Sequence, residues 1–157
     1  MPAGRVEFIS ISDGGVPKRP WPECDVAVAG LSGDRQRNLK YHGGPDRAVL
    51  LYSLERIRSL QEEGHPIAPG AIGENLTVSG LDWDLLGPGA QVEVGPVRLE
   101  LTSHASPCDT LAASFLEGRF VRVSQKVHPG WSRVCARVLV EGRVTVGDPV
   151  RVLGSER

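Results

Sequence analysis

The chain has 157 residues, 40% of them hydrophobic and 24% charged, with a formal net charge of -1 at neutral pH. That length suits a single domain over residues 1–157 with enough core to fold without disulfides or metal, and the near-zero charge argues against nucleic acid or an anionic membrane as a partner. No apolar run approaches the ~18 residues of a membrane span, and Met1-Pro2-Ala3-Gly4-Arg5 lacks the apolar stretch of a secretion signal, so a cytoplasmic location is expected.

The 12 prolines and 19 glycines punctuate the chain too often for a helical bundle and suit short strands joined by tight turns. Val6 to Ser12 alternates as a strand and ends at Asp13-Gly14-Gly15. Cys24 to Ala29 reads as a second strand, with Cys24 in the core. Leu31 to Asp46 is polar and glycine-rich without either period, a long loop of the kind that carries function. Ala48 to Tyr52 is a short apolar run fitting a buried strand. Ser53 then offers an N-cap hydroxyl to a helix carrying Leu54, Ile57 and Leu60 on one face. Its Glu62-Glu63 end opposes the helix dipole, and fraying of the last turn is expected there.

Glu74 to Val78 reads as a strand and Leu81 to Leu86 as an irregular connector. Gln91–Val94 and Val97–Thr102 form a hairpin around Gly95-Pro96. Cys108 to Leu116 reads as a short helix capped by Asp109 or Thr110, with Leu111, Phe115 and Leu116 facing the core. Further on, Val134, Ala136, Val138 and Val140 fall on one strand face and Arg133, Cys135, Arg137 and Leu139 on the other. Turns at Glu141-Gly142 and Gly147-Asp148 lead to Val144–Val146 and Val150–Leu153. The expected fold class is mainly β, a closed or nearly closed β-barrel with one or two short helices.

Three cysteines without C-x-x-C spacing argue against a structural zinc site or a disulfide framework. Pro107-Cys108 follows a predicted strand and precedes a predicted helix. A cysteine at a helix N-terminus feels positive potential that favours the thiolate, the form that attacks sulfur or binds a soft metal. The alternative is a buried, inert thiol, a common fate of the residue. Cys135 reads as structural or incidental. His42-Gly43-Gly44 can bring backbone N–H groups and an imidazole to an anion, or form a plain turn. Arg47 can hold a phosphate bidentately, or pair with Asp46 or Asp34. Gly73-Glu74-Asn75 can bind a ligand or satisfy nearby loop N–H groups, and on its own the structural role is the better reading. His65, His104 and His128 have no partner at metal-ligand spacing. The common signatures for nucleotide binding, zinc proteases and serine hydrolases are absent.

Taken in order, Gly33-Asp34, His42-Gly43-Gly44, Arg47-Ala48-Val49, Gly73-Glu74-Asn75-Leu76, Pro107-Cys108, Ala136-Arg137-Val138-Leu139 and Gly147-Asp148-Pro149-Val150 resemble the MOSC domain family. These domains are homologous to the C-terminal part of molybdenum cofactor sulfurase. The resemblance runs from about Leu31 to Leu153 and is closest to the stand-alone small bacterial type. It implies a barrel-like fold and binding of the molybdenum cofactor (molybdopterin), or handling of its sulfur. Cys108 matches the family cysteine and would be the catalytic residue and metal ligand. Around the pterin or its phosphate would lie Asp34, His42, Gly43, Gly44, Arg47, Glu74, Asn75 and Arg137.

The chain carries no cysteine desulfurase, iron–sulfur or N-terminal β domain like those of larger relatives. It is therefore expected to need an electron-donor or sulfur-donor protein, with a small-molecule substrate. Two functions stay open: reduction of N-hydroxylated compounds with a partner, and a non-catalytic sulfur (persulfide) or cofactor carrier. A third is a barrel that has lost this chemistry and binds another anion or a protein.

Overall fold

The computed structural model describes residues 4–12, 16–34 and 45–153. Eleven strands lie among them: β1 (Gly4–Ile11), β2 (Arg19–Trp21), β3 (Glu23–Ala27), β4 (Gly30–Leu31), β5 (Val49–Ser53), β6 (Leu76–Ser79), β7 (Gln91–Val94), β8 (Val97–His104), β9 (Val134–Val140), β10 (Gly142–Thr145) and β11 (Pro149–Leu153). Seven close into a barrel in the order β11-β7-β8-β9-β5-β6-β1, and β1 pairs back onto β11 through Gly4–Val150 and Arg5–Pro149. β2 hangs on the outer edge of β1. The register of β1 against β6 slips between Val6 and Phe8, an irregularity of the kind that bends a strand around a barrel. A separate three-stranded sheet is ordered β10-β3-β4.

The alternation read from the sequence sets the barrel core. Leu99 faces Val92 on one side and Val138 on the other, Leu101 faces Ala136, and Val150 faces Val94. All are buried. Directly opposed residues share a sheet face, so each such rung is one layer of apolar contact.

β5 and β6 are the parallel pair, with Leu51 opposite Leu76. Parallel neighbours need a long crossover, and here it contains α1 (Leu54–Glu62). Ser53 caps α1 as expected, its hydroxyl accepting from the Arg56 N–H at 3.1 Å. Leu54, Ile57 and Leu60 are the buried face, each burial stabilising by about 1.5–3 kcal/mol. The acidic end is secured from outside: Arg122 donates to both carboxylate oxygens of Glu63, at 3.0 and 2.8 Å. That pairing holds the Glu63 carboxyl below its ordinary pKa.

The 108–116 segment departs from expectation. It is a 3-10 helix, Asp109–Ser114, rather than an α-helix. Cys108 itself occupies the N-cap position and makes no side-chain cap bond, so neither Asp109 nor Thr110 is the cap. Leu111 and Phe115 are buried as expected, but Leu116 is exposed. Among the described residues no helix is long and apolar enough to cross a membrane.

Candidate functional site

The site is built on the outer face of β9. Leu50 on β5, Cys135 on β9 and Ser103 on β8 are paired side by side, so all three point to the same side of the sheet. Arg133 and Arg137 flank Cys135 at two-residue spacing and share that face. The sequence reading treated this as a polar face with an incidental cysteine. In the structure its first half is covered: Cys135 is 7% exposed and Arg133 6%. Val140, expected in the core, is instead exposed at the strand's end.

The segment leaving β8 stays with β9 beyond the strand. The Ala105 N–H donates to the Arg133 carbonyl at 2.9 Å, so the segment continues alongside β9. Arg133 then reaches two carbonyls, Nη1 donating to Ile72 at 2.9 Å and Nη2 to Ser106 at 3.2 Å. Ile72 precedes Gly73-Glu74-Asn75 and Ser106 precedes Pro107-Cys108. One buried side chain thus joins two of the motifs that the sequence singled out. From sequence, Arg133 falls on the polar face of this strand with Cys135 and Arg137 but is not among the candidate site residues, because the alternation gives no sign of what its side chain reaches.

Cys108 is half-buried, and its Sγ lies 3.0 Å from the Thr110 hydroxyl. Cys24 and Cys135 are buried, and burial raises the pKa of both thiols. For Cys24, core placement is as expected, with Sγ directed at the Ser32 carbonyl at 3.2 Å.

Arg47 ends a 3-10 turn, Pro45–Arg47, and is exposed. It has no hydrogen-bond or ion-pair partner among the described residues, and its charge acts on Cys135. The pairing with Asp46 or Asp34 weighed from sequence is therefore not seen. Asp46 lies instead 3.8 Å from Arg137. Arg137 is half-exposed and engaged with Glu100, to which its Nε donates at 2.8 Å. His42, Gly43 and Gly44 lie outside the described residues.

Asp34, Glu74 and Asn75 are drawn together with the fold's own polar groups. Asp34 Oδ1 accepts from the Ser12 N–H at 2.9 Å and from Lys18 Nζ at 2.7 Å, while Oδ2 accepts from Asn75 Nδ2 at 3.0 Å. Asn75 Oδ1 accepts from the Leu50 N–H at 2.9 Å. Glu74 is fully buried, with Oε2 accepting from the Gly70 N–H at 2.8 Å and the Thr77 hydroxyl at 3.2 Å. Desolvation raises the Glu74 pKa and lowers that of Arg133. Glu74 Oε1 and Arg133 Nε have no hydrogen-bond partner among the described residues.

Residues 38–151 match the family model of the MOSC domain. The chain belongs to the MOSC domain family. Among curated MOSC relatives, Bacillus subtilis YflK, described as an uncharacterized protein, is 33% identical over 141 residues, covering 88% of this chain and 63% of YflK. Escherichia coli protein YiiM is 30% identical over 136 residues, covering 83% of this chain and 59% of YiiM. The chain thus spans less than two thirds of the length of these two relatives. In fold it superposes on YiiM from Geobacillus stearothermophilus with a TM-score of 0.73 at 23% identity, over 96% of this chain and 75% of that one. The YUAD protein of Bacillus subtilis gives a TM-score of 0.73 at 20% identity over 96% of both chains. The MOSC barrel expected from the ordered motifs is therefore present.

The donor set suits the cofactor associated with the MOSC family. Among the described residues no group of three His, Cys, Asp or Glu could hold a metal ion. The chain offers one reachable thiol, a buried guanidinium with an unpartnered N–H, and an exposed arginine. That combination suits a soft metal carried by an anionic organic group. A cavity of about 230 Å³ lies elsewhere, lined by Trp83, Leu86, His104, Gln125 and Ser132 among others. None of the predicted site residues lines it.

Proposed function

We propose that this MOSC chain binds the molybdenum cofactor, with Cys108 as the protein's ligand to the metal, and acts with an electron-donor protein in reducing N-hydroxylated compounds. The observation that supports it is that buried Arg133 joins the Gly73-Glu74-Asn75 and Pro107-Cys108 motifs through the Ile72 and Ser106 carbonyls, two residues from the half-buried Cys108. Cys108 would anchor the cofactor, and Arg47 and Arg133 would compensate its negative charge. Arg137, already engaged with Glu100, would contribute at the rim. Asp34, Glu74 and Asn75 would hold the floor beneath.

The cofactor would supply a two-electron redox centre. Converting an N-hydroxyl compound to its amine consumes two electrons and two protons and releases water, so the electrons must come from a partner. Expression in a host that makes the cofactor, followed by molybdenum and pterin analysis per folded chain, tests the reading. Stoichiometric metal that is lost in Cys108→Ser supports it. Folded wild-type protein without metal from such a host overturns it.

A second reading is favoured by Cys135, a buried thiol within electrostatic range of the same guanidinium. Two thiols around one cation suit a chain that stores or passes on persulfide sulfur. Incubation with a cysteine desulfurase and mass spectrometry of Cys108 separates the two. A stable added sulfur without turnover favours the carrier.

A further inference from the structure

The cavity of about 230 Å³ lies where three segments meet: the connector before β7, the end of β8 and the approach to β9. Trp83 and Leu86 give it buried apolar walls, and its rim is exposed at Asp84 and Pro129. A cavity of about 150 Å³ takes up benzene, so this one has room for a single substituted ring.

Its polar groups can be accounted for one by one. The Trp83 indole N–H is spent on the Ser132 carbonyl at 3.1 Å. Asp84 is the sole ionised side chain among the described residues lining the cavity, and Arg56 Nη2 donates to its Oδ1 at 2.8 Å. Arg56 Nε is spent on the Gly130 carbonyl at 3.0 Å. Gln125 Oε1 accepts from the Gly130 N–H at 2.9 Å, which fixes it as the oxygen end of the amide. It can then only accept from the Ser132 hydroxyl, 3.4 Å away. That hydroxyl has one hydrogen, so His104 Nδ1, 2.8 Å from Ser132 Oγ, is the donor of its own bond. The other ring nitrogen, Nε2, is left as an acceptor. Burial lowers the His104 pKa and so favours the neutral ring.

Neither His104 Nε2 nor Gln125 Nε2 makes a hydrogen bond among the described residues. A Cβ added at Gly87 would stand 3.9 Å from His104 Nε2 and meet nothing nearer, so the space before that nitrogen is open. The cavity thus keeps one acceptor and one amide donor unspent, with no unpaired charge.

We propose that this cavity binds a small uncharged molecule with a single ring, whose hydrogen-bond donor meets His104 Nε2 and whose neighbouring acceptor meets the Gln125 amide. None of the residues assigned to the thiol site lines it, so the inference does not depend on the function proposed above.

The test is an NMR titration of the isotope-labelled whole chain with benzamide, acetophenone and benzoate. The three have the same number of non-hydrogen atoms and differ in what matters here: a neutral probe with donors, a neutral probe without them, and an anion. Benzamide is expected to shift the Trp83 indole N–H and Gln125 side-chain amide signals saturably, with a Kd of about 1–10 mM. Acetophenone leaves the imidazole acceptor unpaired, and benzoate brings a charge that nothing compensates, so both should bind about fivefold or more weakly. Gly87 does not have a left-handed φ and accepts a side chain without backbone strain. Gly87→Leu should fill the space before His104 and weaken benzamide by about fivefold or more. His104→Leu should abolish the preference for benzamide over acetophenone. The nitrogen shifts of His104 should show a neutral ring protonated at Nδ1. Absence of saturable benzamide shifts, equal affinity for the three probes, unaltered binding in Gly87→Leu, or a His104 proton on Nε2 would each overturn the proposal. Should His104→Leu fail to fold, the probe series on wild type and Gly87→Leu still decides.

Discussion

Lys18 Nζ and Asp34 Oδ1 lie 2.7 Å apart, with side chains only 5% and 3% exposed. Asp34 also accepts from Ser12 and Asn75, so one carboxylate ties the chain after β4 to β1 and β6. Removing one partner of a buried pair leaves the other charge uncompensated, whereas removing both does not. Asp34→Asn is expected to destabilise by about 3–5 kcal/mol, and Lys18→Met/Asp34→Asn by clearly less than the sum of the two single changes. Urea unfolding of the four proteins measures this. Additive effects would show that the pair is not coupled.

Glu74 gives a pH signature with a definite sign. Burial raises its pKa in the folded chain, while the unfolded chain keeps the ordinary value of about 4.3. Below that pH both states hold the proton and stability is unaffected. As pH rises further the unfolded state releases it first, so stability falls by up to about 1.4 kcal/mol per pH unit until the folded carboxyl also ionises. Glu74→Gln keeps the shape and lacks the proton, so its advantage over wild type should grow with pH above about 4.3. Parallel stability curves from pH 4 to 8 would sink this account.

Most of the barrel was legible because its signals are local. Alternation in β7, β8 and β9, the Gly95-Pro96 turn and the Ser53 cap each depend on residues close in sequence. The site was legible only as separate islands. Burial of Arg133 goes with its bonds to the Ile72 and Ser106 carbonyls, contacts between distant residues that a strand pattern does not encode. The Lys18–Asp34 pair is similar: a lysine between a proline and an arginine reads as surface until β1, β2 and the Asp34 turn come together. Asp34 and Asn75 looked like ligand groups because polar residues beside glycines serve both roles, and only hydrogen-bond partners separate the two.

The three cysteines should separate by accessibility. Cys108 is half-buried, whereas Cys24 and Cys135 are buried and their thiols are harder to ionise. With a neutral maleimide under native conditions, labelling at Cys108 is expected to run to completion first. Cys24 and Cys135 should follow only as the chain opens, and all three should react together in urea. Peptide mass spectrometry at timed intervals reads the order. Early labelling at Cys135 would mean that its burial on β9 does not hold in solution.

Gly70 sits at the crossing of these networks. Its carbonyl accepts from the Lys18 N–H at 2.9 Å and its N–H donates to Glu74 Oε2 at 2.8 Å. Its φ is +83°, and a Cβ there would meet the Lys18 carbonyl oxygen at 2.7 Å and the Ser10 hydroxyl oxygen at 2.9 Å. Gly70→Ala therefore incurs a left-handed backbone cost of about 1–2 kcal/mol plus displacement of the chain beside the Lys18–Asp34 pair. Gly89 is the natural control, with φ +95° and nothing within 4 Å of a Cβ. Gly89→Ala should show the backbone cost alone, about 1–2 kcal/mol, and Gly70→Ala should exceed it by at least about 1 kcal/mol. Because the Gly70 N–H is bound to Glu74, Gly70→Ala should also alter the pH slope that Gly89→Ala leaves intact. Equal losses in urea melts, with unchanged slopes, would mean that the segment before β6 yields without disturbing the buried carboxyl.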